Sequence, residues 1–161
     1  SSKEFAENIS HNVTIYLLCE DGIADASVEA VMEKYASENP KISCKKIDVT
    51  SHPEFTSDYI GMSYTDTSGG VQPISNNSVI IESEIRSTVL DWSSFYHYRI
   101  GSSSYTYKEF LSYSEEYAKR YGSIPPSGSY KEFSDLDKVF ASALEYVTLP
   151  ENGAIKTRDG N

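Results

Sequence analysis

The chain has 161 residues and a formal net charge of −10, with 39% hydrophobic and 12% aromatic residues. That length fits one domain, and this apolar content predicts a packed core rather than a disordered chain. The negative charge argues against nucleic acid, whose phosphates would repel this surface, and against adhesion to anionic lipid.

The first half of the chain predicts a strand, a helix and a second strand. Val13–Cys19 is an apolar, β-branched run typical of a buried strand. A helix is expected from about Asp25, a suitable N-cap residue, to Asn39-Pro40. Ile42–Val49 is the second strand. This order within about 40 residues predicts a parallel crossover.

Ser78–Asp91 predicts a pair of antiparallel strands. Two short apolar runs are separated by charged residues, and Glu82, Glu84 and Arg86 mark the expected exposed connection. An isolated hairpin is only marginally stable, so this pair is expected to join the parallel strands in one mixed sheet.

The second half predicts helices. Gly101–Ser104 is interpreted as a flexible spacer, and Thr106 and Glu109 have the spacing of a capping box. The helix they open carries four aromatic residues along one side: Phe110, Tyr113, Tyr117 and Tyr121. Ser134 is expected to cap a last amphipathic helix, which Pro150 ends. A short helix is also expected at residues 3–10.

The predicted order of elements matches the thioredoxin arrangement. The sequence therefore predicts an α/β protein with a thioredoxin-like three-layer α/β/α fold, a mixed sheet and an extra helical insertion. One domain is expected over residues 1–150, with the insertion at about 101–130 and a flexible tail at 151–161.

Thiol chemistry is disfavoured by the residues themselves. Thioredoxin-like enzymes carry a reactive cysteine pair just after the first strand, where this chain has Glu20–Asp25. Cys19 and Cys44 make no CxxC, and buried free thiols are the favoured interpretation. A disulfide is the alternative, although Cys19 ends one strand and Cys44 begins the next, which places them too far apart.

No other chemistry is indicated. The three histidines are scattered, the acidic loop of Glu20, Asp21 and Asp25 lacks calcium-loop spacing, and no nucleophile or phosphate-loop motif is present. No catalytic residue, cofactor or metal is therefore predicted. A run of about 18 apolar residues is also missing, so no direct membrane insertion is expected.

An aromatic stretch supplies the one candidate partner surface. Trp92, Phe95, Tyr96 and Tyr98 follow the predicted hairpin closely. Aromatic residues near a strand end are usually local core, but exposed rings there would suit a sugar or a peptide.

Several short segments carry a family resemblance. They are the strand Val13–Leu18, the helix end at Tyr35–Pro40, Ile47–Pro53, Ser78–Glu82, Arg86–Asp91 leading to Tyr96, and the closing run Leu136–Thr148. Together they resemble the extracytoplasmic region of GldG-like proteins, the auxiliary components of bacterial ABC-type transport systems first named for gliding motility.

The resemblance implies a non-catalytic domain on the extracytoplasmic face of the cell membrane, acting in binding or scaffolding. It implies an ABC permease and an ATPase on other polypeptides as partners, and transmembrane helices beyond this fragment. It supplies no catalytic residue. A carbohydrate- or peptide-binding module is the alternative function, and a divergent thiol oxidoreductase is a more distant one.

Overall fold

The computed structural model describes residues 9–62 and 74–150. They belong to two compact units, one formed by residues up to 91 and from 137 onward, the other by residues 92–136. Residues 3–8 of the predicted first helix, most of the predicted loop at 61–77 and the tail at 151–161 lie outside the described residues. The elements in chain order are β1 (Val13–Cys19), α1 (Ala26–Glu38), β2 (Ile42–Asp48), a 3₁₀ helix (Pro53–Met62), β3 (Val79–Ser83), β4 (Ser87–Leu90), a 3₁₀ turn (Trp92–Ser94), β5 (Tyr96–Ile100), β6 (Ser103–Thr106), α2 (Tyr107–Tyr121), a 3₁₀ turn (Ser127–Ser129), β7 (Lys131–Ser134) and α3 (Leu136–Thr148).

The first unit is built on a four-stranded sheet in the order β2-β1-β3-β4. β1 and β2 are parallel, whereas β3 is antiparallel to both β1 and β4. The predicted parallel crossover, the hairpin and the mixed sheet are therefore confirmed. Glu82, predicted in the connection, instead lies within β3 opposite Ser87.

Helices α1 and α3 bring their apolar sides together in this unit. Asp25 caps α1 as predicted, because its carboxylate accepts hydrogen bonds from the backbone of Ser27 and Val28 at 2.9 and 3.1 Å. Tyr35 of α1 stacks on Phe140 of α3 with the ring centroids 6.2 Å apart. Both rings are fully buried, so this contact is part of the core.

A second cluster lies under the 3₁₀ helix. Tyr59 joins Leu18 of β1 and Ile80 of β3 in a buried group, and Phe55 packs edge-on against Tyr16 at 5.0 Å. The Tyr59 hydroxyl also donates a 2.9 Å hydrogen bond to Glu82, which gives this half-buried carboxylate a partner.

The second unit contains a three-stranded antiparallel sheet in the order β6-β5-β7 and the helix α2. The predicted insertion at about residues 101–130 lies within this unit. The interpretation of Gly101–Ser104 as a spacer is wrong, because Gly101 turns the chain at φ +60° and Ser103 begins β6. Ser134 is likewise the last residue of β7 rather than the cap of α3.

Candidate functional site

Helix α2 has well-defined ends. The predicted capping box is confirmed: Thr106 accepts from the backbone of Glu109, and the Glu109 carboxylate accepts from the backbone of Thr106 at 2.9 Å. Gly122 ends the helix in the left-handed conformation at φ +80°, and its N–H donates to Ala118 at 2.8 Å. These caps hold a 15-residue helix whose exposed side can present a fixed pattern of side chains.

Three tyrosines four residues apart form a continuous row along α2. We call Tyr113, Tyr117 and Tyr121 the tyrosine row. The ring centroids are 6.0 Å apart for the first pair and 4.6 Å for the second, with 47° between the ring planes in both pairs. Exposure increases along the row: the first two rings are half-buried, and Tyr121 is 63% exposed.

The tyrosine row lines a cleft of about 490 Å³. Among the described residues, the others that line it are charged: Glu116, Lys119 and Arg120. Lys119 pairs with Glu116 at 3.4 Å, and the Arg120 guanidinium lies 5.9 Å from the centroid of the Tyr121 ring. The cleft therefore combines aromatic surface with hydrogen-bonding groups of both charges, and its volume falls within the roughly 300–1,000 Å³ usual for ligand sites.

The inner end of the row rests on the core of the second unit. Tyr113 packs against Tyr105 of β6 at 6.3 Å and against Phe110 at 6.2 Å. Phe110 in turn stacks on Tyr98 of β5 at 4.2 Å. Because Tyr113 is held from two sides, the row begins at a fixed point and needs little ordering when it binds a partner.

The predicted partner surface is divided by the structure. Phe95 is completely buried and Tyr98 is 7% exposed, so these two residues belong to the core and offer no contact surface. Trp92 and Tyr96 are half-buried, and their ring centroids lie 5.4 Å apart. Burial of Tyr98 follows from its stacking on Phe110, together with a 2.6 Å hydrogen bond from its hydroxyl to Glu132.

The sequence pattern predicts the aromatic side of α2, but the spacing alone does not identify it as a binding surface. A compositional signal points to it. Residues 92–136 hold eight of the thirteen tyrosines and eleven serines. Tyrosine and serine dominate the binding loops of antibodies, because Tyr provides a large contact area at low entropic cost.

The segment that directly follows β1, Glu20–Asp25, contains no cysteine. Cys19 is buried and Cys44 is half-buried, and both are free. β1 and β2 pair Ile15 with Cys44 and Cys19 with Asp48, so the two thiols lie four strand positions apart. Burial raises the pKa of Cys19, and the nearby Asp48 carboxylate raises it further. The predicted free thiols are confirmed.

The acidic loop after β1 is engaged in local hydrogen bonds. The Asp48 carboxylate accepts from the Thr50 hydroxyl and, at 3.2 Å, from the backbone of Asp21. Its pKa is lowered, chiefly by the Thr50 hydrogen bond. Within residues 9–62 and 74–150, no group of three or more His, Cys, Asp or Glu side chains is placed to hold a metal ion.

Comparison of this chain with protein-family models, with curated proteins and with solved structures found no match. None of the described helices is long and apolar enough to cross a membrane.

Proposed function

We propose that this chain is a non-catalytic binding domain that holds an extended peptide segment of a partner protein along the tyrosine row of α2. The observation that carries the proposal is the cleft of about 490 Å³ lined by three tyrosines in succession. Aromatic side chains dominate the energetics of protein interfaces because each buries a large area. A row of three on a capped helix is a rigid surface of this kind.

The tilt of the rings favours a peptide over a sugar. Flat stacking of sugar rings needs broad, level aromatic faces, whereas these rings are inclined by 47° to their neighbours. Inclined rings present their edges as well as their faces, and the varied side chains of an extended segment can contact both. Aromatic-lined grooves of this type bind proline-rich segments, whose extended backbone is already ordered before binding.

The charged residues of the cleft suit the polar groups of a peptide backbone. Glu116 accepts hydrogen bonds from N–H groups, whereas Lys119 and Arg120 donate to carbonyl groups. All three side chains are exposed, so water solvates their charges in the free protein. The tyrosine rings supply affinity in this arrangement, and the charged residues set the direction and register of the segment.

The proposed setting is the extracytoplasmic face of a bacterial membrane, in an auxiliary component of an ABC-type transport system of the GldG-like kind. The proposed fold of the first unit is thioredoxin-like and redox-inactive. Two points support this: the order strand, helix, strand, hairpin and helix, and the lack of a second cysteine near Cys19. An ABC permease and its ATPase are the proposed partners. Neighbouring genes for a multi-span permease and a Walker-motif ATPase are the expected observation.

Selection from a displayed library of 12-residue peptides tests the proposed function. Peptides enriched by the wild-type protein are expected to bind the Tyr117→Ser variant about tenfold more weakly, a loss of about 1.4 kcal/mol that a tyrosine at an interface hot spot reaches. Tyr146→Ser is the matched control, because Tyr146 is 50% exposed on α3 and lies outside the row. Enriched peptides that bind both variants equally, or a glycan array that gives hits when the peptide library gives none, would contradict the proposal.

A further inference from the structure

The three-stranded sheet of the second unit has one face turned away from α2. Tyr98 of β5 stacks on Phe110 of α2, which identifies the opposite face. Side chains alternate along a strand, so the residues on either side of Tyr98 point to the other face. These residues are His97 and Arg99, and the strand register places Phe133 and Lys131 of β7 directly beside them.

Two positive charges meet on this face. Arg99 and Lys131 are direct cross-strand partners, and both side chains are exposed. Like charges at such a position are destabilising unless a counter-charge lies nearby. None of the ion pairs in the described part of the chain involves either residue. Glu132 points to the opposite face, where it binds the Tyr98 hydroxyl.

An aromatic ring lies beside the Arg99 guanidinium. The Arg99 Cζ atom lies 5.3 Å from the centroid of the Phe133 ring. The His97 ring also stacks on Phe133, at 5.5 Å with 26° between the planes. A guanidinium that stacks on a ring keeps its edge N–H groups available, and those groups match the two oxygens of a carboxylate.

Arg99, Lys131 and Phe133 together line a cavity of about 230 Å³. The cavity has two cations on its wall and one apolar ring. The local charge differs from that of the whole chain. Residues 92–136 carry five basic and five acidic residues and are neutral, whereas the whole protein carries −10. Most of this acidic protein repels an anion, but the neighbouring cations Arg99 and Lys131 provide a local positive site for one.

We propose that this cavity binds the carboxylate of a small organic acid. Arg99 would hold both carboxylate oxygens, Lys131 would add the second positive charge, and the apolar part of the ligand would rest on Phe133. The volume is below the roughly 300 Å³ of most ligand sites, so the ligand is a small acid or the last residue of a peptide chain. The proposal does not depend on the tyrosine row, which lies on α2.

The test titrates the ¹⁵N-labelled protein with benzoate, followed by amide chemical shifts. Benzamide is the neutral counterpart, sulfate is the simple anion, and N-acetyl-glycyl-phenylalanine represents a peptide C-terminus. Benzoate is expected to shift the amides of residues 97–99 and 131–133, and benzamide is expected to leave them unchanged. The tighter of the two carboxylates identifies the source of the natural ligand.

Variants separate this site from general charge attraction. Arg99→Gln and Lys131→Gln are each expected to weaken benzoate binding about tenfold, the loss typical of one hydrogen bond to a charged group. Lys138→Gln is the matched control, with the same change of charge at an exposed position on α3. Benzamide or sulfate binding as tightly as benzoate, or equal binding by all three variants, would overturn the proposal. Because the tyrosine-row peptides are tested separately, either proposal can fail alone.

Discussion

The hydroxyl of Ser83 donates a 2.6 Å hydrogen bond to the backbone carbonyl of Val147, 64 residues further along the chain. This bond joins the end of β3 to the last turn of α3. Both residues are buried, and Ser83 also accepts hydrogen bonds from the backbone of Ile85 and Arg86 at 3.1 and 3.2 Å. One side chain thus connects the hairpin turn to the closing helix.

Replacement of Ser83 by alanine is expected to lower the free energy of unfolding by about 1–3 kcal/mol, because buried polar groups lose their partner. Chemical denaturation measures this loss. Ser37→Ala is the matched control: the Ser37 hydroxyl makes a similar 2.8 Å bond to a carbonyl, that of Lys34, but at an exposed site. The control is expected to change stability by less than about 0.5 kcal/mol. Equal effects in the two variants would contradict the assigned role of Ser83.

Arg86 makes a second connection between the same elements. Its guanidinium donates to the carbonyls of Tyr146 and Leu149 at 2.9 and 2.8 Å and lies 5.5 Å from the centroid of the Tyr146 ring. These carbonyls lie in the last turn of α3 and directly after it, where a positive charge is favourable. Arg86→Gln is expected to cost about 1 kcal/mol, since the bonds are exposed to solvent.

Arg86→Lys should recover only part of that loss, because an ammonium lacks the planar geometry that reaches both carbonyls. Arg120→Gln, which removes a positive charge from α2, is the control and should leave stability nearly unchanged. Thermal unfolding measures all three variants. A fully stable Arg86→Gln protein would show that these hydrogen bonds do not hold the end of α3.

The hydrogen bond from Tyr98 to Glu132 predicts a stability change at alkaline pH. Burial and this bond raise the pKa of Tyr98 well above its ordinary value of 10.0. The folded state therefore holds the phenolic proton more tightly than the unfolded state. The stability contributed by the protonated Tyr98 hydroxyl is therefore fully present below a pH of about 10, and it is lost as the pH rises toward the folded-state pKa.

Tyr98→Phe removes this contribution. The variant is expected to be about 1–2 kcal/mol less stable than the wild type at pH 8, and the difference should shrink as the pH rises above about 10. Denaturant titrations from pH 8 to pH 11 measure it. Tyr121→Phe is the control, since this ring is 63% exposed. A difference between wild type and Tyr98→Phe that grows with pH would contradict the raised pKa.

The two thiols are expected to react slowly. Burial raises the pKa values of both Cys19 and Cys44 and lowers their thiolate fractions at neutral pH. Both should react with an aromatic disulfide reagent about tenfold or more slowly in the native protein than in urea, with half-buried Cys44 ahead of buried Cys19. Mass spectrometry of the labelled peptides gives the order. Rapid modification of Cys19 in the native state would revive the thiol-enzyme alternative.

The first unit was predictable because its signals are local and strong. The apolar run of β1, the N-cap at Asp25 and the core residues spaced three and four apart along α3 each identify an element with little ambiguity. The second unit was not predictable in the same way. The residues of β6 are Ser103-Ser-Tyr-Thr106, and β7 reads Lys131-Glu-Phe-Ser134, so neither carries an apolar run. They form strands because β5 lies between them and pairs with both.

The candidate surface shows the same limit. Sequence alone placed the partner surface at Trp92, Phe95, Tyr96 and Tyr98, where aromatic density is high. Tertiary packing decides which rings stay exposed. Phe95 and Tyr98 enter the core, whereas Tyr121 contacts Tyr117 and is otherwise largely exposed. The spacing of four residues predicts that the rings share a helix face, but it does not tell whether that face is covered.

The most direct measurement of the central claim is a ¹⁵N chemical-shift titration of the whole chain with the best peptide from the displayed library. The account predicts shifts concentrated at residues 113–121, with binding weakened about tenfold in Tyr117→Ser and unchanged in Tyr146→Ser. Shifts confined to other residues, or equal affinity in both variants, would contradict the assignment of the tyrosine row as the binding site.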